Sequence, residues 1–240
     1  MSGSGGGPPG PPLCIVGAST ERGGETMPRI ARARTPAEPS SPGQRARHLR
    51  ILSAAARIGA ERGLERVQMH EIAKEAGVAI ATLYRYFPSK THLFTAVLAE
   101  HIDRFSHGLA APAPGRAPAD AVGDALVEAS RRLLTRPALA AAMLCSASTA
   151  DPSVVADAAR IEDTSRDLIL RTLGVTAPTP MDVTLVRLLV QCWYGVLQSS
   201  LNGRLSAEEM ESDLRIACRV LLGDRSRSAG SDLLPGPPDD

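Results

Sequence analysis

From residue 44 onward the apolar positions recur at helical spacing, and no stretch of the body alternates with the period of two that a half-buried strand needs. The segment Gln44–Arg62 gathers Ile51, Leu52, Ala55, Ile58 and Gly59 on one stripe and closes at Gly63. A shorter segment over Met69–Ala76 follows, and Gly77 in Glu75-Ala76-Gly77-Val78 stands where a helix C′ glycine belongs. Only a few residues later the run Ile80-Ala81-Thr82-Leu83-Tyr84-Arg85-Tyr86-Phe87 begins, so the two short helices must turn sharply on each other. A long helix, a short one, a tight turn and a second short one make a helix-turn-helix unit with a supporting first helix.

The remaining punctuation is also helical. Ser89 can cap a helix running to about His107, and a Pro/Ala/Gly linker follows at 111–118. Helices are predicted over Asp120–Leu134 and Pro137–Ala147, then from the cap-plus-N1 pair Asp151-Pro152 to Leu173, closed by Gly174. Thr179-Pro180-Met181-Asp182 opens another to about Leu201, ended by Asn202-Gly203. Ser206-Ala207-Glu208-Glu209 is a capping box for the last, which stops at Gly223. The expected fold class is therefore all-α with about nine helices. Residues 1–43, with eight Pro and nine Gly, lack any helical period and read as a disordered tail, as do residues 225–240. The stretch Leu13–Val16 is too short for a signal peptide or membrane span, and Met27 heads a plausible shorter product. Between the tails, 44–92 is the expected helix-turn-helix domain and 93–224 the second domain.

Chemistry concentrates in the third helix. Three of the chain's seven aromatic side chains (Tyr84, Tyr86 and Phe87) fall within four residues, beside Arg85 and Lys90. At 100° per residue, Ile80, Leu83, Tyr84 and Phe87 share one side, and Ala81, Thr82, Arg85 and Tyr86 the other. The second side carries what a helix in a DNA major groove needs. On it Arg85 can read guanine, Thr82 and Tyr86 can hold phosphates and Ala81 permits close approach; from beyond that face Tyr84 and Lys90 would add phosphate contacts and Ile80 an apolar one. Gln68 and His70 would add contacts at the groove edge, and Arg45 and Arg47 would reach the backbone from the lead-in.

Charge agrees. Residues 44–92 carry nine Lys/Arg against four Glu, a net of +5, whereas 93–240 carry 14 basic and 19 acidic residues, a net of −5. A near-neutral total thus hides a basic module on an acidic body, and the partner expected at the basic end is double-stranded DNA.

Over 182–201 one narrow polar stripe (Thr184, Arg187, Gln191, Tyr194, Gln198) is flanked by Val186, Leu189, Val190, Trp193 and Leu197. So wide an apolar arc suggests contact with its own core and with a second subunit at once. The last helix offers Met210, Leu214, Ala217, Cys218 and Leu221 at matching spacing. The four cysteines (Cys14, Cys145, Cys192, Cys218) form no Cys-x-x-Cys pair, and the last three lie in apolar helical patterns, as buried thiols do. His70-Glu71 lacks the second histidine of a zinc-protease helix, the five histidines do not cluster with cysteines, and no nucleophile elbow, P-loop or dinucleotide fingerprint occurs. No enzyme activity, metal or cofactor is expected.

Arg50-Ile51-Leu52, then Glu71-Ile72-Ala73-Lys74-Glu75-Ala76-Gly77-Val78, then Thr82-Leu83-Tyr84-Arg85-Tyr86-Phe87-Pro88-Ser89-Lys90-Thr91-His92-Leu93, in this order, resemble the DNA-binding domain of the TetR family of transcriptional regulators. The match spans about residues 45–105. Two departures stand out: Val67-Gln68 where the family has Ser or Thr before its second helix, and Ala79-Ile80-Ala81 where it has Ser-x-Gly before the reading helix. Both remove N-caps, each worth about 1 kcal/mol. The run Val67-Gln68-Met69 with Val78-Ala79 resembles the KstR-like branch.

The resemblance implies an N-terminal three-helix helix-turn-helix domain and a C-terminal helical domain for ligand binding and dimerisation. It implies a cytoplasmic bacterial homodimer, paired through helices at about 182–201 and 206–222 as a four-helix bundle on a palindromic operator. It implies a ligand cavity among helices 90–107, 120–134, 137–147 and 153–173, for which Met143, Cys145, Trp193 and Tyr194 are the candidate lining residues. No charged cluster calls for a strongly charged effector, so a largely hydrophobic one is expected, and the KstR-like resemblance implies a lipid- or acyl-CoA-like molecule. A repressor is the expected function. The alternatives are an activator, or a helical small-molecule binding protein whose DNA head is vestigial.

Overall fold

The computed structural model describes residues 36–223, and these contain nine α-helices and no strand. The helices are α1 (Pro42–Arg66), α2 (Met69–Glu75), α3 (Ile80–Tyr86), α4 (Lys90–Gly108), α5 (Pro118–Leu134), α6 (Pro137–Thr149), α7 (Ala156–Thr172), α8 (Pro180–Leu201) and α9 (Ala207–Leu222). The expectations placed on residues 1–35 and 224–240 (the two tails, Leu13–Val16, Cys14 and the Met27 start) lie outside the described residues.

Two compact units divide the chain. Among the described residues, the first comprises those up to Leu98 together with Ala138–Ala158, and the second comprises Ala99–Pro137 and those from Ala159 to residue 223. Helix α6 therefore belongs with the helix-turn-helix rather than with the helices that flank it in sequence.

In the first unit α1 opens at Pro42, two residues earlier than its period suggests, because the Ser41 hydroxyl accepts from the Gln44 N–H at 3.3 Å and Pro42 is preset for the first helical turn. Gly63, at φ 71°, kinks α1 where the pattern places a stop. Ile51, Ala55 and Ile58 of α1 pack into a core shared with Ile72, Leu83, Phe94 and α6 residues Leu139 and Met143. Gly59 is an obligatory gap in that core: a Cβ there would lie 2.6 Å from the Phe94 ring and 3.2 Å from Leu139 Cδ1.

The turn between α2 and α3 is a Schellman motif. Val78 N–H donates to Ala73 C=O at 3.0 Å and Gly77 N–H to Lys74 C=O at 3.2 Å, with Gly77 at φ 64°. Neither α2 nor α3 has a side-chain cap on its first residues, as the missing Ser and Thr predict. Arg50 Nε reaches the Ala76 carbonyl at 3.4 Å and closes the other end of α2. Ser89 caps α4 by accepting from the His92 N–H at 3.3 Å.

Asp151-Pro152 does not open α7. The Asp151 carboxylate accepts from the Ser153 N–H (2.9 Å) and hydroxyl (2.7 Å), which closes a separate turn, and α7 starts only at Ala156.

In the second unit α9 packs along α5 and α8. Complete capping boxes open α8 (Thr179 with Asp182) and α9 (Ser206 with Glu209). Trp193 donates from Nε1 to Ser130 Oγ at 2.8 Å, and that hydroxyl donates to Leu126 C=O at 2.7 Å, so this buried polar chain is fully satisfied. On α9, Met210, Leu214 and Cys218 face their own core, and burial pushes the Cys218 thiol up to about 12. The outward apolar residues are instead Ile216 and Val220, with Met181, Val183 and Leu188 on α8. Cys145 is half-buried and Cys192 exposed, so of these three thiols only Cys218 is buried as expected.

Candidate DNA-binding surface and effector pocket

The reading helix turns a different face outward from the one its wheel suggests. Leu83, Tyr86 and Phe87 go inward, at 0, 3 and 2% exposure, whereas Ile80 and Tyr84 stand out at 41 and 46%. Ala81 and Arg85 are exposed and Thr82 is half-buried. Tyr86 is thus a core residue and not a free phosphate ligand. Its ring meets His48 edge-on at 5.7 Å and the Phe87 ring at 6.3 Å, and its hydroxyl has no hydrogen-bond partner. Burial at 83, 86 and 87 is the i, i+3, i+4 stripe by which a two-turn helix docks, leaving 80, 81, 84 and 85 for a ligand.

Those outward positions border a concavity of about 350 Å³ that brings together Gln68 and His70 from the start of α2, Ile80 and Tyr84 from α3, and Lys90 from the start of α4. Five of the expected DNA-contacting residues therefore meet in one groove. Arg85 lies outside its lining, with its guanidinium 5.3 Å from the centre of the Tyr86 ring. Arg45 is exposed and Arg47 half-buried on the first two turns of α1. Ahead of that turn, Ala37 N–H donates to Arg85 C=O at 3.0 Å, so the lead-in runs against the end of α3. The Lys90 ammonium donates to the Leu64 and Glu65 carbonyls at 3.3 Å each, which ties the groove wall to the end of α1.

Internal pairing leaves this surface positive. Arg62 donates to both oxygens of Glu71 at 2.7 Å, and this bond holds the Glu71 carboxyl below the usual carboxylate range. Arg57 bonds Glu61 at 2.8 Å and Glu75 at 3.0 Å. Three of the four Glu of residues 44–92 are thereby neutralised by two Arg, while among the described residues Arg45, Arg47, Arg66, Lys74 and Arg85 form no ion pair with a carboxylate. An excess of cations over free carboxylates on a helix-turn-helix head is suited to a polyanion.

The second unit holds a separate cavity of about 220 Å³. Phe105 of α4, Leu126 of α5, Leu168 of α7, and Val190 and Trp193 of α8 give it hydrocarbon walls; His101, Arg104 and Arg132 also border it. The side chains of Arg104 and Arg132 are mostly exposed and each pairs with a Glu four residues earlier, at 2.8 and 2.7 Å. Of the four residues expected to line a ligand cavity, only Trp193 does. Met143 is 1% exposed in the core of the first unit, and Cys145 lies on the same helix, α6, whose placement there removes both from this cavity. Tyr194 packs edge-on against Trp193 at 5.9 Å outside the lining, and burial pushes its phenol up to about 12. Phe105 is not among the residues expected there; Leu98, Ile102 and Phe105 recur at i, i+4, i+7, which is the sequence signal for an inward stripe.

No group of three or more His, Cys, Asp or Glu among the described residues could hold a metal ion, and no described helix is long and apolar enough to cross a membrane.

A helix-turn-helix head of net positive charge with an open groove at its reading helix, joined in one chain to a helical unit with a hydrocarbon-walled cavity, defines the class of transcriptional regulators that couple DNA binding to a small molecule. Residues 51–97 match the family model "Bacterial regulatory proteins, tetR family", and residues 115–221 match "Tetracyclin repressor-like, C-terminal domain". The HTH-type transcriptional repressor KstR of Rhodococcus jostii is 35% identical over 188 residues, covering 78% of this chain and 88% of its own. A crystal structure of a TetR transcriptional regulator from Rhodococcus sp. RHA1 is 54% identical, with a TM-score of 0.72, over 75% of this chain and 97% of that one. The FadR repressor of Thermus thermophilus, solved with lauroyl-CoA, shares the fold at 20% identity and a TM-score of 0.55, over 80% of this chain and 100% of that one. The chain belongs to the TetR family, in its KstR-like branch, and is a ligand-responsive DNA-binding transcriptional repressor.

Proposed function

We propose that the chain acts as a homodimer on a palindromic operator and leaves it when a small, largely hydrophobic effector enters the cavity of the second unit. The observation that carries the DNA half is the groove where Gln68, His70, Ile80, Tyr84 and Lys90 meet, on a head whose residues 44–92 carry a net charge of +5. Arg85 reads a base edge, Ile80 and Ala81 approach the bases, and Tyr84, Thr82 and Lys90 with Arg45 and Arg47 position the phosphate backbone. Two such heads about 34–36 Å apart would enter successive major grooves. The outward apolar residues of α8 and α9 (Met181, Val183, Leu188, Ile216 and Val220) supply the surface for pairing.

The effector half rests on the hydrocarbon-walled cavity. A lipid- or acyl-CoA-like molecule suits it, and the Thermus thermophilus FadR repressor was solved in complex with lauroyl-CoA. Helix α4 is covalently common to both units, contributing residues up to Leu98 to the first and residues from Ala99 to the second. It is the element through which an effector would change the separation of the two heads. The protein works in the bacterial cytoplasm, at the nucleoid.

The experiment is a gel-shift titration of the full chain against the DNA upstream of its own gene, with footprinting and light scattering. A protected inverted repeat bound by two copies, and released by lauroyl-CoA, is the expected result. A single copy in solution that shows no preference for any duplex would overturn the reading.

A further inference from the structure

The described chain begins beside the reading helix, and its start is fixed there. Residues 36–40 form no helix, and Pro36 and Pro39 favour an extended course. Pro36, Ala37 and Pro39 are half-buried, and the Ala37 N–H donates to the Arg85 carbonyl at 3.0 Å. That carbonyl lies in the last turn of α3, where helix carbonyls have no partner of their own. The chain on the N-terminal side of Ala37 therefore leaves the head next to Arg85, the base-reading residue of the proposed operator complex.

What precedes Ala37 in the sequence is basic. No acidic residue stands between Glu25 and Glu38, and Arg29, Arg32 and Arg34 are separated only by Ile30, Ala31 and Ala33. An extended chain covers about 3.3–3.6 Å per residue, so from Ala37 Arg34 can reach about 10 Å and Arg29 about 27 Å. Successive major grooves on one face of a duplex lie about 34–36 Å apart, which puts the intervening minor groove about 17 Å away. That groove is only about 6 Å wide, closed to a helix but open to an extended chain with small residues between its arginines. Its A·T-rich stretches are narrower and more negative, and arginine side chains are drawn into them.

We propose that residues 29–34 bind in the minor groove beside each half-site, directed there by the Ala37–Arg85 hydrogen bond, and add a preference for A·T-rich flanks to the specificity of the reading helix. This deepens the DNA reading above and rests on it. Residues 29–34 lie outside the described ones; their sequence and the fixed point at Ala37 carry them to that groove.

The test takes the duplex that the full-length protein protects upstream of its own gene and changes only its flanks. Inosine·cytosine in place of G·C, half a turn to either side of each half-site, removes the guanine amino group from the minor groove and leaves the major-groove edge unaltered. The parent binds the inosine-flanked duplex about three- to tenfold tighter than the G·C-flanked one. The full-length triple variant Arg29→Ala, Arg32→Ala, Arg34→Ala gains less than about twofold and keeps the parent's ranking of half-site sequences. Its log–log salt slope falls by about 0.9 for each arginine no longer seated. Ala37→Pro, which deletes the N–H donor and no charge, loses most of the inosine gain. Thermal melts check that both variants fold.

If the parent gains nothing from inosine flanks, or if either variant gains as much as the parent, the minor-groove assignment fails and the reading-helix assignment survives. Tighter binding of every duplex by the triple variant would put the segment on an acidic surface of the chain and overturns the proposal as well. If the parent prefers no duplex at all, the DNA reading fails with it.

Discussion

The two short helices of the reading head and the two long helices of the second unit begin in opposite ways. Thr179 and Ser206 close complete capping boxes on α8 and α9, whereas Gln68 and Ala79 give α2 and α3 no side-chain acceptor at all. The head helices are seven residues each, too short to be stable by propensity. They persist through the Schellman turn at Gly77 and through inward side chains such as Ile72, Leu83 and Phe87. The difference teaches where each region keeps its stability: in the head it lies in tertiary packing, and in the second unit a share is local.

The largest effect that could break this comparison is Leu83→Ala. Leu83 is fully buried, and its truncation should cost about 2–5 kcal/mol, read as a lower urea midpoint with DNA binding lost as the head loosens. An unchanged midpoint would mean that α3 does not depend on its packing. Arg85→Ala should next weaken specific operator binding by about 1–3 kcal/mol and relax base choice at one position while leaving the melt alone. A base preference that survives the change would remove Arg85 from the reading set.

Caps provide a sharper, smaller contrast. Ser206→Ala should lower stability by about 1 kcal/mol, and Ala79→Ser should raise it by up to about 1 kcal/mol, because α9 has a side-chain acceptor to lose and α3 has none. Equal responses at both sites in thermal melts would contradict the contrast. Tyr86→Phe should change DNA affinity by less than about 0.5 kcal/mol, since a buried, unpaired hydroxyl touches no phosphate. The smallest effect is one of pH. Burial holds His92 below its ordinary value, despite the Val154 backbone and Asp157 pulling the other way. The unfolded chain therefore takes up this proton first as pH falls. The stability tied to neutral His92 is complete above the ordinary histidine value and is lost as pH drops through the lowered one. In His92→Asn that part of the acid-side decline in the melting temperature should vanish.

Much of this was legible in the residues themselves. Gly77, Thr179 and Ser206 act through their own backbone neighbours, so local spacing sufficed to place a turn and two helix starts. Asp151-Pro152 misled because an aspartate before proline closes an isolated turn as readily as it caps a helix, and nothing local separates the two. The face of α3 misled for another reason. Tyr84 and Tyr86 each carry an apolar ring and a polar tip, and only the His48 and Phe87 rings decide which one goes inside. The cavity lining escaped because it draws on α4, α5, α7 and α8 together, and sequence spacing does not say which helices converge. Met143 and Cys145 were misplaced for the same reason, since α6 joins the first unit across a gap of about forty residues.

That membership of α6 bears on how such regulators can be recombined. Gly59, Phe94 and Leu139 form one interlocked contact, with Leu139 supplied from beyond α5. A head severed after Leu98 would bare the ring of Phe94 and lose the flank that makes a glycine necessary at 59. Grafting this operator specificity onto another scaffold would thus require transplanting two separated stretches of chain, and a simple N-terminal cassette exchange would yield a frayed reader.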